Sequence, residues 1–467
     1  MNLKLKGLKL SLLLISLTPL LSYANSDFNN TLNPEFNSEL LPASNTTEVA
    51  RNSSFKIDVS GWAQTSLAYG SNGSQLIPAT GFRKEDGFTL DQMGIMLEKK
   101  INSNIISRVG AIPAPYSNQF DWGFNITAIY GADAAFFRTY GFDEDWGMNN
   151  IGNFDNHDYY AALAQAYVEF YFPAFNGSNL MLGLFHSPLA NEIGFALPSP
   201  APANFYTHPY SFLHGPAKHF GALWSSHLPA LSTGSTLSYE LGIVRGYNNI
   251  QDPNHDWSLI GNLRWRSQDF STWVDFENMY DNAADDSLSA CGCGSPIPTN
   301  SALANDKSLN RYQSYLTITK QLDPKNKLVF EGSYGHQEKS LFADAFNQSP
   351  IFATPVNGGI DAAWYGANLS YFYQIQSTLS TGLRAEYFNT DGVHAFVPYA
   401  GDYQAITANL NWMPSKHLRI RPEIRYDWYK GQQKPFGTDQ VNNYTPPLIH
   451  GTDKDQLSYS MDFTVFF

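Results

Sequence analysis

The chain has 467 residues, a formal net charge of −13 and 15% aromatic side chains, among them 32 Phe, 27 Tyr and 10 Trp. The acidic balance argues against nucleic acid as a partner, and two cysteines are too few for a disulfide framework. Past the amino terminus no stretch approaches ~18 consecutive apolar residues, which excludes a helical membrane protein, whereas the aromatic content suits a chain with interfacial girdles.

Lys4, Lys6 and Lys9 precede an apolar run over residues 10–21, followed by Ser22, Tyr23 and Ala24. A basic start, a short apolar core and small residues read as a secretory signal, with cleavage expected after Ala24. The run is too short to cross a bilayer as a helix. Residues 25–54 are rich in Asn, Ser, Thr, Glu and Pro without a period, so a mobile periplasmic lead-in is expected there.

From residue 55 onward the side chains alternate with a period of two, which sends them to opposite faces of a strand. Strands are predicted over 55–69, 88–99, 104–112, 162–172, 180–189, 218–227, 235–246, 257–266, 270–280, 311–321, 328–336, 362–373, 378–388, 403–413, 418–428 and 455–467. Pro113 and Pro115 stop the third. A long insertion over 114–161 follows it, with Phe120, Trp122, Phe124, Tyr130, Phe136, Phe137, Tyr140 and Trp146. In the last strand Leu457, Tyr459, Met461, Phe463, Val465 and Phe467 share one face, and Gln456, Ser458, Ser460, Asp462 and Thr464 the other. Such a terminal strand would leave an open apolar edge; pairing with the first strand closes a barrel in lipid.

Connections alternate, long then short, to the end of the chain. With about sixteen strands, both chain ends fall on the side of the short turns. That is the layout of an outer-membrane antiparallel β-barrel over 55–467, with short periplasmic turns and long extracellular loops. A soluble β-sandwich has no reason to segregate long loops to every second connection. The expected partners are outer-membrane lipid and the barrel assembly machinery, which would engage the strand ending at Phe467. A homotrimer is one arrangement open to such a barrel.

On the strand 418–428, Arg419, Arg421, Glu423, Arg425 and Asp427 fall on one face. Charges on the lipid side cost roughly 2–4 kcal/mol each for Arg or Lys at the midplane, so this face is expected to line a wet lumen. Arg264, Arg266, Arg384, Glu386, Asp275, Glu277 and Glu169 extend the pore lining to other strands. Pro422 cannot donate to a ladder, so a bulge is expected there. The loop over 189–216 is rich in Pro and aromatics. Exposed, it would be an unusual apolar patch, so it is expected to fold inward and build a constriction from Phe205, Tyr206, His208, Tyr210 and Phe212. The insertion 114–161 is the competing candidate.

A barrel of this size leaves an aqueous channel unless loops fill it, and a charged lumen passes small polar solutes or ions. Passive diffusion is therefore the expected function, with a modest anion preference from the arginine ladder and no cofactor. Two alternatives stand beside it: an adhesin or structural barrel working through its long loops, and an outer-membrane hydrolase with a dispersed Ser/His/Asp set. The chain has no Gly-x-Ser-x-Gly elbow and no His-Glu-x-x-His. Cys291 and Cys293 flank Gly292, a spacing that strains a disulfide, and a metal site there lacks further ligands nearby, so a local disulfide or inert thiols are expected rather than a redox or metal role. His208, His214 and His219 read as loop-packing residues more readily than as zinc ligands.

Residues 165–226 carry the densest motifs: Gln165-Ala166-Tyr167-Val168-Glu169 with Tyr171 and Pro173, Gly183-Leu184-Phe185-His186-Ser187-Pro188 with Glu192, Asn204-Phe205-Tyr206-Thr207-His208-Pro209-Tyr210, and Gly215-Pro216 before His219 and Gly221. Weaker matches lie at Tyr130-Gly131 with Asp133, and at Gly246-Tyr247-Asn248. In these motifs the chain resembles the β-barrel porin-2 (OmpL-like) family of Gram-negative outer membranes. The resemblance implies an outer-membrane porin and says little about its solute. At His186 a polar or basic residue is expected, so no function is carried over to it.

Overall fold

A computed structural model describes residues 56–72, 86–139, 141–143, 146, 159–192, 204–229, 231, 233–251, 256–281, 310–340, 360–391, 399–437 and 452–467. The expected signal and lead-in, and Cys291 and Cys293, lie outside the described residues.

Sixteen strands close into one antiparallel barrel. In chain order these are β1 (Asp58–Gly70), β2 (Gly87–Lys99), β5 (Asp121–Gly131), β6 (Tyr160–Phe172), β7 (Ser178–His186), β8 (Lys218–His227), β9 (Thr236–Val244), β10 (Ser258–Arg266), β11 (Thr272–Asp281), β12 (Arg311–Asp323), β13 (Asn326–Ser340), β14 (Ile360–Gln376), β15 (Leu379–Thr390), β16 (Gly401–Ser415), β17 (Leu418–Lys430) and β18 (Asp455–Phe466). Two further strands, β3 (Ile105–Ile106) and β4 (Gly110–Ala111), pair only with each other. The barrel closes where β1 meets β18, in register from Trp62 opposite Phe466 to Gly70 opposite Ser458. Both backbone bonds between Gly61 and Phe467 are 2.9 Å long. Closure leaves no sheet edge, as a strand protein in lipid requires.

The period of two is what builds the wall. Leu241, Ile243, Leu259, Leu263, Phe276, Leu383, Ile406 and Ile424 point outward and are exposed. Tyr69, Tyr280, Tyr312, Tyr387 and Tyr426 ring the long-loop end, and Trp122, Tyr371 and Trp412 the opposite rim. This apolar band between aromatic girdles is the surface a bilayer demands.

Three local expectations are corrected. The predicted strand 104–112 is not in the wall: it is the β3–β4 hairpin, turned into the lumen from the short-turn end. The missing wall strand is β5, inside the stretch read as an insertion. Its alternation is plain once aligned, with Trp122, Ile126 and Tyr130 on one face and Asn125, Thr127 and Ile129 on the other. Pro115 and the Gly- and Asn-containing sequence around β5 masked it. Pro422 makes no bulge. Pairing with β16 keeps one register from Asn409 opposite Glu423 to Trp412 opposite Ile420, and the chain shifts only nearer the turn, between Trp412 and Ser415. A bulge instead lies in the β5–β6 pair, where the register shifts between Thr127 and Ala128. There Ala164 turns inward and is buried.

Candidate functional site

The inner faces of β6, β10, β11, β15 and β17 present the charged residues singled out from the sequence. Arg419, Arg421, Glu423, Arg425 and Asp427 all point inward from β17, yet none is more than 5% exposed. Arg264, Arg266, Arg384, Asp275, Glu277 and Glu386 are buried too, and Glu169 is half-buried. The expectation of a charge ladder facing open water is corrected: protein covers these residues.

Much of the cover is the connection between β7 and β8, whose described parts are residues 187–192 and 204–217. Glu423 accepts hydrogen bonds from the backbone N–H of Tyr206 at 2.8 Å and of Thr207 at 3.0 Å, and from the Thr207 hydroxyl at 2.5 Å. Glu386 accepts from the Tyr210 N–H at 2.9 Å. Asp427 accepts from the Tyr210 hydroxyl at 2.7 Å. The arginines bind the same segment from its carbonyl side. Arg421 donates to Phe205 O at 2.6 Å, Arg384 to Thr207 O at 2.9 Å and Arg425 to His208 O at 3.2 Å. Thus Glu423, Glu386, Arg421, Arg384 and Arg425 each meet a backbone N–H or C=O group of the loop. A loop without regular structure can be buried only when its N–H and C=O groups find such partners.

Aromatic packing completes the seat. Phe205 lies 5.5 Å from the Phe372 ring and is fully buried. Gly382 makes the space, since a Cβ there would stand 2.8 Å from the Phe205 ring. Tyr206 reaches β1, where its hydroxyl is 2.8 Å from that of Ser66. Phe212 stacks on His208 at 4.1 Å and on Phe136 at 5.0 Å. Phe136 belongs to the 114–161 stretch, so both candidate segments enter the lumen and pack on one another.

The charges also pair among themselves. Arg421 is 2.7 Å from Asp462, Arg425 is 2.7 Å from Glu386 and 2.8 Å from Asp427, and Arg384 is 3.5 Å from Glu386. On the opposite wall Arg264 is 3.0 Å from Glu240 and 2.8 Å from Glu277, and Arg266 is 2.5 Å from Asp275. Buried ion pairs add little net stability, because desolvation opposes the attraction.

Three carboxylates were given no pore role in the sequence reading: Glu240, Glu331 and Glu192. The first two lie on inward positions of β9 and β13 and were legible from parity alone. Glu331 accepts from Asn191 N and the Ser211 hydroxyl, both at 2.7 Å. Glu192 sits in the loop, 3.0 Å from the His208 ring and 3.3 Å from Arg384. Its role had no sequence signal, because it depends on the loop's path. The three histidines do not converge. His208 meets Glu192, His214 packs between Trp364 and Phe388, and His219 bonds Gly246 O and Ser187. Among the described residues no group of His, Cys, Asp or Glu is placed to hold a metal.

The model of the family described as "Putative beta-barrel porin-2, OmpL-like" matches residues 56–467. No curated protein matches the chain by sequence. Among solved structures it is similar to the outer membrane channel DcaP of Acinetobacter baumannii, at 10% identity and a TM-score of 0.48, covering 88% of this chain and 97% of that one. It is also similar to an anion-selective porin from Comamonas acidovorans, at 9% identity, TM-score 0.47, and 88% and 99% coverage. Pseudomonas putida OprB is similar at 13% identity, TM-score 0.47, and 88% and 94% coverage.

Proposed function

Because the chain belongs to this porin family of the bacterial outer membrane, we propose that it carries small polar solutes or ions by passive diffusion, through a lumen narrowed by the loop between β7 and β8. The observation that carries this reading is the seating of residues 204–212 on the inner faces of β15 and β17. A loop held by charged hydrogen bonds to four wall carboxylates, Glu423, Glu386, Asp427 and Glu331, is a fixed constriction, not a surface arm. The charged pairs behind it give the pathway its field, so solutes are sorted by size and charge with no bond made or broken. On this reading the chain is a channel and not an enzyme, and its outward apolar band lies in lipid. Its terminal strand is where the assembly machinery would act, and a homotrimer is the assembly to look for by cross-linking.

The test is liposome swelling with the refolded mature protein, using neutral sugars of increasing size. Uptake of the smaller sugars with a sharp size cut-off supports the reading. Intact, heat-modifiable barrels that admit none would favour an adhesin, and ester or peptide hydrolysis by the same preparation would favour an enzyme.

A further inference from the structure

The hairpin β3–β4 belongs to neither the wall nor the extracellular loops. It lies in residues 100–120, which join the periplasmic ends of β2 and β5, a side where the other connections are short. Two-residue strands cannot hold themselves together in water; this pair is held by the inner wall. Asn179 of β7 donates to Ile105 O at 2.7 Å. The Ser107 hydroxyl donates to Glu169 of β6 at 2.5 Å. The N–H of Arg108 donates to Glu240 of β9, and Arg266 of β10 donates to Val109 O. Ala111 N donates to Ser238 of β9 at 3.3 Å. Ile106, Val109 and Ile112 pack against Trp273 of β11. At the start of β4 Gly110 has φ +96°, and a Cβ there would stand 2.9 Å from both Arg264 and Ser238. The hairpin is therefore docked across β6 to β11 by inward-facing wall residues, among them Glu169 and Arg266, which were expected to line the pore.

The extracellular loop takes the other side of the wall, from β13 through β17 to β1. The two inserts meet at Arg264, whose stem packs on Gly110 and whose guanidinium donates to Pro188 O at 3.0 Å. Glu277, the partner of Arg264, accepts from Ala190 N at 2.8 Å.

We propose that the hairpin is a second, periplasmic constriction of the channel, so that solute size is set by two inserts in series and not by the extracellular loop alone. This rests on the channel reading above. The barrel ladder does not pass through the hairpin, and its ends already touch, with Ile112 N donating to Asn104 O at 3.1 Å. Residues 105–111 can thus be exchanged for two glycines with every wall strand intact.

The experiment is single-channel recording and sugar swelling with the full mature chain, wild type against this replacement. The expected result is a heat-modifiable barrel with at least a twofold larger unit conductance and a higher sugar size limit. A folded variant with unchanged conductance and size limit overturns the proposal. Should the replacement not fold, Arg108→Cys, at a partly exposed position of the hairpin turn, in a Cys291→Ser, Cys293→Ser background decides. A bulky maleimide added from the periplasmic side should block most of the current, and its lack of effect on a labelled channel overturns the proposal equally. A silent wild type would count against the channel reading itself, whereas a conducting wild type with unaffected variants counts only against the second constriction.

Discussion

The Tyr210 hydroxyl donates to Asp427 at 2.7 Å, although 217 positions separate the two residues. One belongs to an extracellular loop and the other to the wall of β17. Asp427 in turn accepts from Arg425 Nε at 2.8 Å, and Arg425 holds the carbonyl of His208 in the same loop at 3.2 Å. The loop thus closes a hydrogen-bonded ring with the wall, and its position in the lumen is defined by charge as well as by shape.

Tyr210→Phe removes one bond of this ring while keeping the ring stack on Phe388 and Tyr403. A hydrogen bond to a charged group is worth about 1.5–3 kcal/mol. Assembly should be unchanged, and open-channel current noise should rise as the loop loosens. Noise equal to wild type would show that this bond does not restrain the loop.

Arg421→Glu is expected to do more than shift selectivity. Arg421 faces Asp462 at 2.7 Å and is buried. The substitution leaves two carboxylates together, with Glu423 two positions away on the same face. Breaking a buried pair costs about 3–5 kcal/mol, so the yield of heat-resistant barrel should fall. A normal yield, with the reversal potential in a salt gradient moved toward cations, would mean that Arg421 faces water after all.

Acid should release one end of the loop. Burial pushes the Glu192 carboxyl up, but its hydrogen bond to His208 and the charges of Arg384 and Arg421 outweigh this and leave it below its ordinary value of 4.5. Glu331 also stands close enough to interact with it. A carboxyl depressed in the folded state contributes stability that is full above about 4.5 and lost as pH falls through the depressed value. Conductance of wild type should therefore become unstable below about pH 4.5. Glu192→Gln should lack that transition. An identical acid profile in both proteins would assign the transition elsewhere.

Phe467→Asp tests barrel closure. Phe467 is bonded to Gly61 by both backbone groups at 2.9 Å, and its side chain is exposed on the lipid side. Export should persist while the assembled, heat-modifiable species in membranes falls several-fold. Normal assembly would remove the terminal residue from any role in closure.

Much of this was legible beforehand, and for definite reasons. The period of two fixed which residues point inward, so the face of β17 from Arg419 to Asp427 could be read directly. The strand count came out even although one strand was misplaced, because a hairpin was taken for a wall strand and β5 for a loop. Both errors share a cause: local alternation does not say whether a segment pairs with the wall or with itself. What could not be read was contact at long range. Nothing local indicates that Glu423 would receive Tyr206 and Thr207, or that Glu169 and Glu240 would receive a periplasmic hairpin. An inward charge in an open pore and one under a loop have the same sequence pattern, and only packing separates them.

The central claim is that the wall carboxylates hold the loop across the lumen as the constriction. The most direct measurement is the unit conductance of Glu423→Ala against wild type in planar bilayers, with folding checked by heat modifiability. Glu423 carries three loop bonds, from Tyr206 N, Thr207 N and the Thr207 hydroxyl. The account predicts a steady, small wild-type conductance and at least a twofold increase in the variant. A folded Glu423→Ala channel with the wild-type conductance would contradict it.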